Sequence, residues 1–408
     1  MNIDPFQILS HLLTADPNHV RLPLEMLLVF GTAKILAELC ERFGQPGIVG
    51  EILAGVLIGP QILDWVKPNE LLSALAELGV MFLLFRVGLE IRASELVRVG
   101  KVAIMVAIMG VVLPFALGWG ILRCWGEPQI ESVFVGAAMV ATSVGITAQV
   151  LASKGLLDAT ASKIILAAAV FDDILGLLIL AFVSGLARGS VNIVELMGTA
   201  VMAIGFTLLL IKYGTKTVGR FVKWAEEKLH LVEAQFVLAL VLMFGLALLA
   251  IHAGVAAIVG AFLAGMALGE STGHRTHDMA HGVTELLVPF FLAGIGLHFD
   301  LSLFTRQSTV ILAMVVMVAA VLSKLVGCGL GAIGLGRADA VRVGVGMVPR
   351  GEVGMVVAQI GLSLGTISQA VYGIVVFMAV TTTLVAPPML KMAFRGVELS
   401  NQTTRERE

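Results

Sequence analysis

Long apolar runs alternate with short polar connections along almost the whole chain. Thirteen runs can be traced, over residues 22–40, 47–64, 71–90, 101–124, 130–153, 160–186, 192–212, 232–251, 254–269, 283–299, 308–334, 340–362 and 366–390. A helix needs about 20 apolar residues to cross the hydrocarbon core of a bilayer. Several runs reach that length or exceed it, enough to span with tilt. The pattern predicts an all-α polytopic membrane protein of about 13 transmembrane helices.

The runs also repeat. Val49-Gly50-Glu51-Ile52-Leu53-Ala54-Gly55 resembles Val259-Gly260-Ala261-Phe262-Leu263-Ala264-Gly265, 210 positions later. Glu77-Leu78-Gly79-Val80-Met81-Phe82 resembles Glu285-Leu286-Leu287-Val288-Pro289-Phe290 at an offset of 208, and Ser143-Val144-Gly145 lines up with Glu352-Val353-Gly354 at 209. Runs one to six thus pair with runs eight to thirteen. The odd seventh run makes the second copy cross with opposite polarity. Such inverted six-helix repeats are an architecture of secondary transporters. The expected organisation is one transmembrane domain over residues 1–400, with repeat one at 22–186, a connector at 192–212 and repeat two at 232–390. A short cytoplasmic tail over 391–408 completes it.

Two equivalent runs carry helix-breaking residues. The fifth contains Ala141-Thr142-Ser143-Val144-Gly145-Ile146-Thr147, and the twelfth contains Met347-Val348-Pro349-Arg350-Gly351-Glu352-Val353-Gly354. Proline removes a backbone donor and glycine weakens a helix. Broken backbone at membrane depth is tolerated only where it lines a cavity or is buried in protein. Both runs are therefore expected to be discontinuous helices whose ends cross near the midplane. Arg350 and Glu352, two positions apart, face different ways and can each neutralise a different half-helix end. Thr142 and Ser143 supply hydroxyls at the first break; ordinary helix–helix hydrogen bonding is the competing account of them.

Composition agrees. The chain is 58% hydrophobic and 14% charged, with mean hydropathy +0.97, whereas soluble domains are about a quarter charged. The 45 glycines allow close helix packing. The net charge of −2 says little, because charges are segregated by connection. Basic residues gather on alternate connections, most densely at Lys212, Lys216, Arg220, Lys223 and Lys228. By the positive-inside rule the N-terminus lies outside and the C-terminus in the cytoplasm. The first twenty residues carry Asp4 and Asp16 without a basic start, so no cleaved signal peptide is expected. Cys40, Cys124 and Cys328 have neither even count nor metal spacing, which argues against a disulfide framework.

The sharpest chemical feature is Asp172-Asp173, set in the apolar run Ala167-Ala168-Ala169-Val170-Phe171 to Ile174-Leu175-Gly176. A carboxylate at bilayer depth costs roughly 2.5–3.5 kcal/mol and marks a functional site by default. The two side chains differ by about 100° around a helix, so they cannot share one partner. Lys324, deep in the eleventh run, is a natural partner for one of them. A static salt bridge uses one aspartate and leaves the other unexplained. Arg86 with Glu90 reads as an interfacial ion pair, and Glu51 as a gating or interfacial group. His274, His277 and His281, with Asp278, have helical metal-ligand spacing, but an inside solvated loop accounts for them more simply than metal binding or pH sensing. Gly329-Leu330-Gly331-Ala332-Ile333-Gly334 follows no strand and reads as helix packing, not a nucleotide fingerprint.

Several stretches together resemble the monovalent cation:proton antiporters of the second, NapA/Kef-like branch. They are Gly44-Gln45-Pro46-Gly47 through Gly59-Pro60, Phe85-Arg86-Val87-Gly88-Leu89-Glu90, the Ala141–Thr147 break, Phe171-Asp172-Asp173, Gly260-Ala261-Phe262-Leu263-Ala264-Gly265 and Pro349-Arg350-Gly351-Glu352. The resemblance covers nearly the whole chain. It implies the Na⁺/H⁺ antiporter fold, with a core domain and a dimerisation domain, a homodimer in the cytoplasmic membrane, and alternating access. It implies exchange of Na⁺, with Li⁺ as a second candidate, for H⁺, without a cofactor, an enzymatic reaction or a nucleic-acid partner. Asp173 would be the main ion ligand and proton carrier, and Asp172 the partner of Lys324. Thr142 and Ser143 would complete an oxygen shell suited to a hard cation. Arg350 and Glu352 would stabilise the crossed helix ends. The Asp-Asp pair resembles the electrogenic Na⁺/H⁺ branch; Kef-type K⁺/H⁺ antiporters usually carry Gln-Asp and a nucleotide-binding domain. Arg86 departs from the apolar residue common in the family. A Na⁺-coupled symporter on a related inverted repeat is the remaining alternative. An intramembrane aspartyl protease would need aspartates converging from two helices.

Overall fold

The computed structural model describes residues 17–43, 45–187, 193–214, 217, 234–269, 271–298 and 306–405. Among them are fifteen α-helices and no strand. In chain order these are α1 (Pro17–Arg42), α2 (Gly47–Ile58), α3 (Glu70–Glu90), α4 (Ala93–Trp125), α5 (Gln129–Ala138), α6 (Val144–Ser153), α7 (Thr160–Ala187) and α8 (Ile193–Leu209). There follow α9 (Ala234–His252), α10 (Ala257–Leu268), α11 (His274–Leu297), α12 (Gln307–Gly331), α13 (Arg337–Gly346), α14 (Glu352–Ser363) and α15 (Gln369–Arg405). Fifteen helices arise from thirteen runs because the fifth and twelfth runs are each two half-helices, α5/α6 and α13/α14. Among the described residues, eight helices are long and apolar enough to cross a membrane.

Several boundaries differ from the hydropathy pattern. Runs 47–64 and 254–269 yield helices of only 12 residues, α2 and α10. In α2 the stop is Gly59-Pro60, after which the chain folds back and Val66 N–H bonds to Ile58 O. The expected tail after residue 390 is helical as far as Arg405. There Ala386, Leu390 and Phe394 form a buried stripe at helical spacing that carries α15 past Pro387 and Pro388. The histidines expected in a loop lie instead on the opening turns of α11. Thr276, Ala280 and Thr284 are buried one turn apart and anchor those turns, Thr284 Oγ1 donating to Ala280 O. Lys216, Arg220, Lys223 and Lys228 lie outside the described residues.

Internal contacts divide the chain into two units, residues 1–80 with 285–303, and 81–284 with 304–408. The first unit packs α1, α2, the start of α3 and the end of α11 around Val29, Ile58, Val66, Leu72, Phe290 and Ala293. The second holds the half-helices, and its core gathers Phe134, Met139, Leu312, Val316, Val357 and Met378. The repeat is visible inside both. In the first unit Gly296 of α11 has no room for a Cβ against the backbone of Ile52 and Val56 of α2. In the second, Gly88 of α3 is closed off in the same way by Phe262 and Met266 of α10. These partners stand 208 and 210 positions apart, the offsets of the sequence repeat.

Candidate ion-binding site at the crossed half-helices

The two breaks meet. After α5 the chain runs non-helically through Met139–Ser143, and after α13 through Met347–Gly351. Ser143 N–H donates to Pro349 O at 2.8 Å, joining one break to the other. Gly351 admits this approach, because a Cβ there would lie 2.6 Å from both Cβ and Oγ of Ser143. Thr147 of α6 donates from Oγ1 to Gly346 O at 2.7 Å, satisfying a carbonyl at the end of α13.

Helix C-termini leave carbonyls without intrahelical donors and carry about half a negative charge. At the end of α5 that role falls to Arg350. Its side chain is wholly buried and donates to Val140 O at 3.2 Å, Ala141 O at 3.3 Å and Ala320 O of α12 at 3.1 Å. Its backbone is held by α15: Arg350 N–H donates to Thr382 Oγ1 at 3.2 Å, and Thr383 Oγ1 donates to Arg350 O at 2.6 Å. One buried cation thus ties the first break to two long helices. Glu352 opens α14, and its side chain lies outside the described residues.

Both aspartates sit in the middle of α7, and both are buried. Asp172 accepts from Lys324 Nζ through both oxygens, at 2.9 and 3.2 Å, with neither side chain exposed. Removing one partner of such a pair strands a buried charge and costs about 3–5 kcal/mol. Asp173 turns about 100° away. It lines a small cleft of about 10 Å³, room for about one water, walled by Leu84 of α3, Val144 of α6, Ala169 of α7 and Val259 and Phe262 of α10. Among the described residues Asp173 is the one charged group on that wall. Thr142 and Ser143 immediately precede Val144; their side chains are buried, and neither hydroxyl makes a hydrogen bond within the chain. Leaving a buried hydroxyl unsatisfied costs about 1–3 kcal/mol. A carboxylate and hydroxyls that find no partner within the chain are hard oxygen donors, suited to a small cation or a proton.

The remaining candidates fall elsewhere. Arg86 pairs with Glu90 at 3.8 Å along α3. No group of three metal-ligating side chains occurs among the described residues, so His274, His277 and His281 build no metal centre there. One partly buried pair escaped the sequence reading: Glu51 accepts from Lys34 Nζ at 2.9 Å, and Glu285 lies 3.7 Å from the same ammonium. The available signal was Lys34 itself, a lysine inside an apolar run.

Residues 27–396 match the family model described as sodium/hydrogen exchanger, transmembrane. The chain belongs to the sodium/hydrogen exchanger family. It is a multi-pass membrane protein, and the whole crossing, with Asp172, Asp173 and Lys324, lies inside the matched span. The exchanger is 35% identical over 375 residues to the Na⁺/H⁺-K⁺ antiporter GerN of Bacillus cereus, covering 91% of this chain and 95% of the relative. It is 32% identical to the high-affinity Na⁺/H⁺ antiporter NhaS3 of Synechocystis, covering 92% and 90%. Among solved structures, the sodium proton antiporter MjNhaP1 from Methanocaldococcus jannaschii shares the fold. It superposes with a TM-score of 0.66 at 18% identity, over 93% of this chain and 98% of that one.

Proposed function

We propose that the protein exchanges Na⁺ for H⁺ across the cytoplasmic membrane, with Asp173 as the shared ligand of both ions. The observation that carries this reading is the division of labour in α7. Asp172 is committed to Lys324, while Asp173 lines a separate cleft together with Val144, the residue that follows Thr142 and Ser143 in the first break. Thr142, Ser143 and nearby backbone carbonyls complete the oxygen shell around the cation. Arg350 and Glu352 hold the helix ends that frame it. A proton and a cation cannot both occupy the carboxylate, so they compete for it. Whichever binds neutralises the site and lets it pass between the two sides of the membrane. An empty, charged carboxylate resists that passage, and this couples the two fluxes.

The exchange involves only reversible proton transfer at a carboxylate and reversible cation binding, and requires neither a cofactor nor an enzymatic step. The distribution of basic residues supports an outside N-terminus and a cytoplasmic C-terminus. The family resemblance supports a homodimer. The likeness to a Na⁺/H⁺-K⁺ antiporter gives K⁺ a place as a second cation.

The test is proton movement in energised inside-out vesicles, read by an acridine pH probe as Na⁺, Li⁺ or K⁺ is added at several pH values. Dequenching by Na⁺ that disappears in Asp173→Ala is the expected result. Below the pH where the site protonates, the apparent KM for Na⁺ should rise about tenfold per pH unit, the signature of one-for-one competition. Undiminished exchange by Asp173→Ala overturns the assignment, and a response to K⁺ alone moves the protein to K⁺/H⁺ exchange. Na⁺ uptake without proton counterflow would make it a symporter.

A further inference from the structure

Lys324 reaches Asp172 through a gap that a third helix leaves open. Helix α4 packs against both α12, which carries Lys324, and α7, which carries Asp172. At Gly110 in the middle of α4, a Cβ would stand 2.6 Å from Cys328 Sγ, 3.2 Å from Lys324 Nζ and 3.7 Å from Lys324 Cδ. The lysine therefore lies directly over the bare Cα of Gly110, with Cys328, one turn further along α12, closing the other side. The same helix carries Gly100 and Gly120, whose missing Cβ atoms would meet nothing within 4 Å. Gly327 and Gly331 of α12 differ again: they press on the backbone of α4 at Met109 and Val106 and bring the two helices close. Gly110 alone in this seam makes room for a charged side-chain tip. Glycine is a poor residue for a helix interior, and here the gap it leaves is filled by a functional ammonium.

We propose that Gly110 is a positioning residue for the exchange: its notch directs the Lys324 ammonium onto both oxygens of Asp172. The inference rests on the site reading above, in which Asp172 must stay committed so that Asp173 alone handles the transported ion. A methyl group at position 110 displaces Nζ by a few tenths of an ångström. Lys324 sits in wholly buried surroundings and has no solvent-facing rotamer to retreat to. The two-oxygen contact weakens, Asp172 is partly released, and two carboxylates then share the work of one.

The experiment compares Gly110→Ala, Cys328→Ala, Gly110→Ala with Cys328→Ala, and Lys324→Ala in the purified full-length protein reconstituted into liposomes. Melting, the pH profile of Na⁺/H⁺ exchange, KM and turnover are measured for each. Cys328→Ala removes the 2.6 Å clash with Sγ while leaving the approach to Nζ, so the double variant separates packing from positioning. The expected result is a double variant that melts like Cys328→Ala. Its exchange profile is displaced by about one pH unit in the direction shown by Lys324→Ala, and KM for Na⁺ changes more than turnover. A double variant with a wild-type profile, beside a displaced Lys324→Ala, overturns the role of Gly110 and leaves the site reading standing. An unmoved profile in Lys324→Ala overturns the site reading itself. If the double variant fails to fold, Gly110 is a packing residue and the proposal falls.

Discussion

The two repeats share a backbone and divide the chemistry between them. At the offset of 209 that aligns Ser143 with Glu352, Asp172 and Asp173 of α7 correspond to Thr381 and Thr382 of α15. Arg350 at the second break corresponds to Ala141 at the first. Where the first repeat places Asp173, the second places Thr382, which with its neighbour Thr383 holds the backbone of Arg350. Where the first break offers open hydroxyls, the second offers a guanidinium that fastens the first break in place. In the proposed exchange one copy binds and the other braces. A duplicated fold allows this, because each break needs backbone satisfaction while only one site needs a titrating ion ligand.

Substitutions that make one repeat resemble the other sharpen this contrast. The largest expected effect is in Asp173→Thr, which copies the second repeat into the first. It should abolish Na⁺-driven proton movement in liposomes, while size-exclusion profile and melting stay near wild type. Next is Arg350→Ala, which copies the first break into the second. It strands the carbonyls of Val140, Ala141 and Ala320, and at about 1–3 kcal/mol for each unsatisfied group the loss should be about 5 kcal/mol. Thermal unfolding in detergent measures it; a loss below about 1 kcal/mol would remove the bracing role.

Lys324→Met should cost about 3 kcal/mol by leaving Asp172 buried and unpaired. Adding Asp172→Asn should recover more than half of that, in a double-mutant cycle read by the same melting assay. Independent, additive losses would mean that the pair seen at 2.9 Å is not energetically coupled. The smallest effect is expected from Thr147→Val, which deletes one hydroxyl bond to Gly346 O. It should lower stability by about 1 kcal/mol and leave the exchange profile in place.

The repeat, both breaks and the Asp172–Lys324 contact were legible because each rests on a strong local signal. Glycine and proline interrupt an apolar run, and a charge at bilayer depth demands a partner. What stayed hidden depends on three-dimensional neighbours. Lys34 in an apolar run signals the need of a partner, but not that the partner is Glu51, 17 positions away on another helix. The helical turns that carry His274 and His277 depend on a buried threonine–alanine stripe with little hydropathy contrast. Gly110 is one of 45 glycines, and only the lysine lying over it sets it apart. The helical stretch of α15 beyond Leu390 was obscured by Pro387-Pro388, because its continuation rests on packing that composition does not encode.

The shortness of α10 has an electrical consequence. Twelve residues at about 1.5 Å each span about 18 Å, against about 30 Å of hydrocarbon. Ile258, Val259 and Phe262 of this short helix form one wall of the Asp173 cleft. That leaves about 12 Å of hydrocarbon thickness for neighbouring segments or water to cover. Wherever water covers it, membrane voltage falls over a shorter path beside Asp173, and a displacement of a few ångströms by an ion held there takes a larger share of the roughly 2.3 kcal/mol that 100 mV exerts on a unit charge.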